Sequence, residues 1–176
     1  SRFGLKGEDE LTPTLSAIYQ AEWGIQATSD DGKADLSSRN RYLGVKSTQF
    51  GALKFGRFDT ALRESQNKVD LFNDMVGESA DMKSVLTGEN RGNRVIGWEA
   101  PELEGLPVKA TLNLVLDQGA NDKNGDNGFS GMVAYDQNGL YVSLAGDKKV
   151  KSDFAYGGNV AADTIRVVGQ LDLAKL

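Results

Sequence analysis

Four carboxylates crowd one stretch of the chain. Asp70, Asp74, Glu78 and Asp81 fall within residues 61–91, ALRESQNKVDLFNDMVGESADMKSVLTGENR. Asp70, Asp74 and Glu78 are each four apart, so any helical turn sets them on one face. Acids so arranged can work in pairs, as glycoside hydrolysis requires, or set a field across a passage. A second group, Asp122, Asn124 and Asp126, follows the D-x-N-x-D-x-G spacing used for calcium and closes on Gly128. An EF-hand needs Glu where this chain has Val133, so that form fails. A looser calcium loop stays open beside the plainer reading, an external loop rich in turn formers.

Composition removes much of the remaining chemistry. The chain has no histidine and no cysteine. The commonest general base and zinc ligand are therefore missing, and so are disulfides and thiolate metal sites. A triad hydrolase is excluded and a metallohydrolase nearly so. The net charge of −5 gives no support for nucleic-acid binding. No cofactor is implied. At 176 residues one domain, 1–176, is the expectation. No run of 18 apolar residues forms a membrane helix, but barrels cross membranes with much weaker signals. The mean hydropathy of −0.40 fits such a barrel, because one face of each strand meets lipid. The chain opens in the middle of an alternating segment rather than on a signal peptide, which reads as a trimmed or fragmentary chain.

The elements that would carry these residues are strands. Residues 1–11 alternate, with Phe3 and Leu5 on one face and Arg2, Gly4 and Lys6 on the other. In 15–28, Leu15, Ala17, Tyr19, Ala21, Trp23 and Ile25 share a face, opposite Ser16, Ile18, Gln20, Glu22, Gly24 and Gln26. After a polar loop, 30–38, residues 39–48 form a third strand, with Arg39 and Arg41 on one face by parity and Tyr42 on the other. Residues 52–60 form a fourth with poor alternation. A fifth spans 93–101, with Ile96 and Trp98 opposite Val95, Gly97 and Glu99. In 107–118 Val108, Ala110, Leu112, Leu114 and Leu116 share one face. A seventh carries Phe129, Gly131, Val133 and Tyr135. Asn138-Gly139 marks a hairpin leading to Leu140, Val142 and Leu144. A ninth, 164–173, sets Ile165, Val167, Gly169 and Leu171 against Arg166 and Gln170.

Two regularities matter beyond any single strand. Short turns alternate with long polar loops, as in an up-and-down barrel. The polar faces are rich in Arg, Lys, Gln, Asn and Asp, and the single apolar face is smooth, with Tyr19, Trp23, Tyr42 and Trp98 near strand ends. A soluble sandwich would instead bury two apolar faces against each other. The pattern suits lipid outside and water inside. The 61–91 segment is too long for a plain connection. Its apolar spine, Val69, Leu71, Phe72, Met75 and Val76, would let it fold inward and narrow a lumen; a surface excursion with a solvated acidic face is the other reading.

These features together resemble the Gram-negative general porins, the trimeric sixteen-stranded outer-membrane diffusion channels. SRFGLKGEDEL resembles that family's second strand, RNRYLGVKSTQFGALKFGRFDT its fourth and fifth, KVDLFNDMVG the start of its constriction loop, and NRVIGWEAPELEG the strand after it. The resemblance implies an all-β fold, an antiparallel up-and-down transmembrane β-barrel meander with about nine of sixteen strands present and a long inward-folded constriction loop at 61–91. It implies that the first strand, the last six or so and the terminal aromatic are absent. Asp70 and Asp74 fall on the family's loop acids, and Arg2, Arg39 and Arg91 on its wall arginines. Glu78 and Asp81 join the acids by position and Arg41 the wall by parity; the direction of Arg57 stays open. The implied function is passive diffusion of small hydrophilic solutes and ions through a homotrimer in the outer membrane of a Gram-negative bacterium, in contact with its lipid and with no enzymatic activity. The competing class is a soluble β-rich carbohydrate-binding module with the aromatics as stacking platforms. An enzyme using the acid pairs is third.

Overall fold

The computed structural model describes residues 1–25, 36–66, 69, 88, 90–102, 105–116, 127–154 and 158–173, giving the backbone alone for 152–154 and 158–162. Nine strands follow one another: β1 Arg2–Thr12, β2 Leu15–Ile25, β3 Leu36–Ser47, β4 Gly51–Asp59, β5 Arg91–Glu99, β6 Val108–Val115, β7 Gly128–Gln137, β8 Leu140–Phe154 and β9 Gly158–Leu171. A single helical turn, α1 Ala61–Glu64, follows β4. The strands form one sheet in sequence order, and every neighbouring pair is antiparallel. This is the expected nine-stranded meander.

Alternation decides which face each residue takes, because successive side chains in a strand point oppositely. One face carries Phe3, Leu5, Leu43, Val45, Leu112, Phe129, Val133, Leu144, Ile165 and Val167, all exposed, Ile165 at 82%. In the β6–β9 half, the residues between them are buried: Thr111, Asn113, Ser130, Met132, Ala134, Tyr141, Ser143, Ala145, Arg166 and Val168. The apolar side chains thus face outward and the polar and small ones inward, the reverse of a soluble domain. Aromatics edge the outer face. Phe3 stacks on Trp23 with ring centroids 5.9 Å apart, and Trp98 Nε1 donates to the Phe50 carbonyl at 2.9 Å.

Short turns gather on one rim. Asn138 and Gly139 both take positive φ, 52° and 80°, the type I′ geometry that matches strand twist. At the β3–β4 turn, Gly51 has φ of 79° and lies so close to β5 that a Cβ would stand 2.0 Å from the Glu99 carbonyl oxygen. Only glycine fits there. The longer connections fall on the opposite rim, between β2 and β3, β4 and β5, and β6 and β7.

Two expectations about β3 need correction. The strand starts at Leu36, which pairs with Ile25, so 36–38 are not loop. Its register against β2 also slips by one residue, with Ala21 opposite Arg41 but Trp23 opposite Ser38. A bulge gives one strand an extra residue and breaks parity. Beyond it Arg41 falls in the outer row of Leu43 and Val45, not on the face of Arg39. Tyr42 correspondingly turns inward and meets Phe58 edge-on at 5.9 Å. The poor alternation of β4 has another cause. Its parity is unbroken, since the slip between Gly56 and Phe58 puts the extra residue in β5, where Arg94 has φ of 54°. Its inward row mixes Ala52 and Phe58 with Lys54, which is buried over the Tyr42 and Phe58 rings at 5.0 and 5.4 Å.

Candidate pore-lining site

Two acids organise the inner charges of β1 to β5. Glu22 on β2 stands between two wall arginines. Arg39 Nε approaches Glu22 Oε1 at 2.8 Å, and Arg2 Nε lies 3.9 Å from the same oxygen. The bulge in β3 puts Arg39 in reach, since it leaves Arg39 and Asn40 together opposite Glu22. Asp59, the last residue of β4, is the second centre. Arg91 Nη2 lies 3.0 Å from it and Arg63 Nη1 3.2 Å. Asn40 Nδ2 donates to Asp59 Oδ2 at 3.0 Å, and Asn40 Oδ1 accepts from Arg91 Nε at 2.6 Å. Arg2 and Arg39 therefore share one counter-charge, and Arg91 and Arg63 share another, the two groups standing side by side because Arg39 and Asn40 are consecutive in β3. The two carboxylates fix the guanidinium planes.

Exposure grades along this wall. The side chain of Arg2 is 47% accessible, that of Arg39 20% and that of Arg91 12%. Arg41 is exposed on the outer side, opposite Arg57 across β4. Arg57 itself donates to Asn93. Toward the short-turn rim a cavity of about 710 Å³ opens beside Lys6, Glu8, Ile18, Tyr42 and Lys46, and Lys46 pairs with Glu8 across it at 3.3 Å.

The segment after β4 turns onto the inner face. Thr60 caps α1, its hydroxyl accepting from the Arg63 N–H at 3.4 Å. Leu62 is wholly buried and joins Ala61, Met132, Ala134, Tyr141, Ala145 and Val168 in one cluster, against which Val69 packs. The Leu62 N–H donates to Ser130 Oγ at 3.0 Å. Tyr141 and Ser143 both donate to the Ser65 carbonyl, at 2.6 and 3.1 Å. Asn113, in the amide orientation that satisfies both its ends, accepts from the Ala61 N–H at 2.9 Å. Glu64 points back to Lys109 at 3.4 Å. Burial pushes the Glu64 carboxyl above the usual carboxylate range, while Lys109 and Lys54 pull against that rise.

Asp70, Asp74, Glu78 and Asp81 lie outside the described residues, as do Asp122, Asn124 and Asp126 of the calcium spacing. Among the described residues, no group of three or more carboxylates is placed to hold a metal ion. Of the wall arginines, Arg2 and Arg39 meet at Glu22, Arg91 stands in the neighbouring group of Asp59 and Asn40, and Arg41 lies in neither. Sequence reasoning missed Glu22 and Asp59 as functional groups. Glu22 was visible on the polar face of its strand, but its place opposite Arg39 depends on register. Asp59 carries no local signal and is read only from its cross-strand partner, Arg91.

An antiparallel meander with an apolar outer face, a charged inner face and a segment folded against that inner face defines a wall of a membrane β-barrel. The chain belongs to the Gram-negative porins, whose family profile matches residues 1–175. It is similar to the outer membrane porin PhoE of Escherichia coli K12, 30% identical over 156 residues, covering 82% of this chain and 42% of that one. It is also similar to the outer membrane protein YedS of Escherichia coli, 27% identical over 126 residues, covering 71% of this chain and 34% of that protein. The anion-selective porin from Comamonas acidovorans shares the fold, with a TM-score of 0.74 at 21% identity, over 98% of this chain and 54% of that one. The chain spans about a third to two fifths of the length of these two curated relatives. Its family places it in the outer membrane of a Gram-negative bacterium.

Proposed function

We propose that this chain forms part of the wall of a water-filled channel for passive diffusion of small hydrophilic solutes and ions, in a barrel that assembles as a homotrimer. The paired charge on the inner face, Arg2 and Arg39 on Glu22 and Arg91 on Asp59, carries the reading. Such a channel does no covalent chemistry. It needs a size limit and a field. Residues 61–91 act as the constriction loop, held to the wall at its root. Asp70, Asp74, Glu78 and Asp81 face the lumen across from the arginines. Opposed carboxylates and guanidiniums in a low-dielectric opening create a transverse field. Water and polar solutes align with it, whereas an apolar solute must displace oriented water. Arg41 has no part in this wall and contacts the barrel's surroundings.

The test is made in the complete barrel that carries this chain. Asp70→Asn with Asp74→Asn removes two lining carboxylates and leaves the arginines less opposed. Planar-bilayer recordings should show a reversal potential shifted toward anions. Stability should fall by no more than about 1 kcal/mol, as for solvated ion pairs. Unchanged selectivity would remove the loop from the constriction. A barrel that stays monodisperse without detergent would overturn the channel reading altogether and favour a soluble binding module.

A further inference from the structure

Arg166 on β9 lies about a hundred residues from the root of the 61–91 segment in sequence, yet it bonds that segment's outgoing leg and lies beside its returning leg. It is buried in the inner face at 7% exposure. Its Nη1 donates to the Leu62 carbonyl at 3.4 Å and to Gln66 Oε1. The returning leg passes over it at Gly88, where a Cβ would stand 3.7 Å from Arg166 Nη2 and 2.1 Å from Leu62 Cδ2. Gly88 has φ of 95°, so both backbone and space exclude a side chain there. The two legs are also joined directly, since the Thr60 N–H donates to the Asn90 carbonyl at 3.1 Å.

We infer that Arg166 is a positioning residue for the constriction: it clamps the outgoing leg at Leu62 and Gln66, with Gly88 of the returning leg packed against it, and so fixes how far the loop stands from the wall. The inference rests on the channel reading above. A guanidinium suits the task because its planar fork serves several acceptors at once in fixed directions. Its acceptors include a backbone carbonyl and a side-chain amide of the loop root, so the clamp reads the position of the root itself. Tyr141 and Ser143 hold the next carbonyl, that of Ser65, and limit the root from the other side. Lysine at this position carries the charge and three donors but not the planar fork, so it holds its acceptors without fixed directions.

The complete barrel is reconstituted in liposomes and planar bilayers as wild type, Arg166→Ala, Arg166→Lys and Gly88→Val. Uptake of neutral sugars of increasing size, and single-channel current noise, report the loop; the heat-induced gel shift reports the barrel. Arg166→Ala should change the ratio of large-sugar to small-sugar uptake several-fold and raise current noise, with the gel shift retained. Arg166→Lys should fall between Ala and wild type. Gly88→Val keeps Arg166 but displaces the returning leg, and should reproduce the Ala phenotype even if Arg166→Ala fails to fold. A wild-type size ratio and noise in Gly88→Val and in either folded Arg166 variant would overturn the clamp. Absence of any conductance from the folded wild type would instead sink the channel reading, so the two failures are told apart.

Discussion

The two halves of the inner face obey the same alternation and meet different surroundings. In β1 to β5 the inward residues include Arg2, Glu22, Arg39 and Asp59, charged groups whose side chains keep between 18% and 47% of their accessibility. In β6 to β9 they include Asn113, Ser130, Tyr141, Ser143 and Arg166, all buried. The first set keeps access to water and the second is covered by protein, because α1 lies on β6, β7 and β8; within β4 and β5, Lys54, Phe58 and Val95 are buried as well. The comparison teaches that an inward polar residue has no fixed energetic meaning in such a sheet. On the open half it makes a field at little cost in stability. On the covered half it must be satisfied, since an unpaired buried polar group costs about 1–3 kcal/mol.

The largest expected effect lies on the covered half. Leu62→Ala removes a wholly buried side chain from the centre of the loop root. Urea unfolding of the complete barrel should show a loss of about 2–5 kcal/mol, the range for such truncations in a packed site. A loss below about 1 kcal/mol would mean that the root does not pack as described.

On the open half the balance reverses. Arg39→Ala should cost about 1–3 kcal/mol, because it weakens the pairing of a Glu22 side chain that is only 18% accessible, and it should move the reversal potential toward cations. Glu22→Gln should move it the other way, because Arg2 and Arg39 lose their shared counter-charge. Shifts of the same sign in both variants would show that the pair acts through folding rather than through its field. Arg41→Ala is the internal control. It should leave the reversal potential at the wild-type value, and a shift equal to that of Arg39→Ala would return Arg41 to the lumen.

The smallest effect is at the seam between the halves. The Glu64 carboxyl is raised by burial against Lys109. A carboxyl raised in the folded state favours folding when protonated. Its contribution is therefore present below the ordinary carboxylate range and lost as pH rises through the elevated value. Urea midpoints of the wild type should fall relative to those of Glu64→Gln between acid and neutral pH. Parallel curves would place Glu64 in water.

The sequence made the strand number, the meander and the direction of the apolar face legible, since each rests on parity within a strand. Leu112 and Leu114, or Val142 and Leu144, need no knowledge of their neighbours. What escaped depends on pairs of strands. The bulge opposite Glu22 leaves no mark in β3 itself, so parity placed Arg41 beside Arg39 and Tyr42 in the outer aromatic row. Asp59 becomes a charge centre only because Arg91 and Asn40 arrive from other strands. Arg166 read as one more inward polar residue, and only the path of α1 and Gly88 across β9 gives it a task.

The bulge in β3 has a bearing on how such walls change over generations. A substitution at Arg39 alters one side chain, whereas losing Asn40 would remove the bulge itself. The strand would then alternate simply, with Arg39 still inside and Arg41 still outside, but without the amide that bonds both Asp59 and Arg91. Length at this spot thus governs the polar bridge at the second charge centre and leaves the choice of lining arginine untouched.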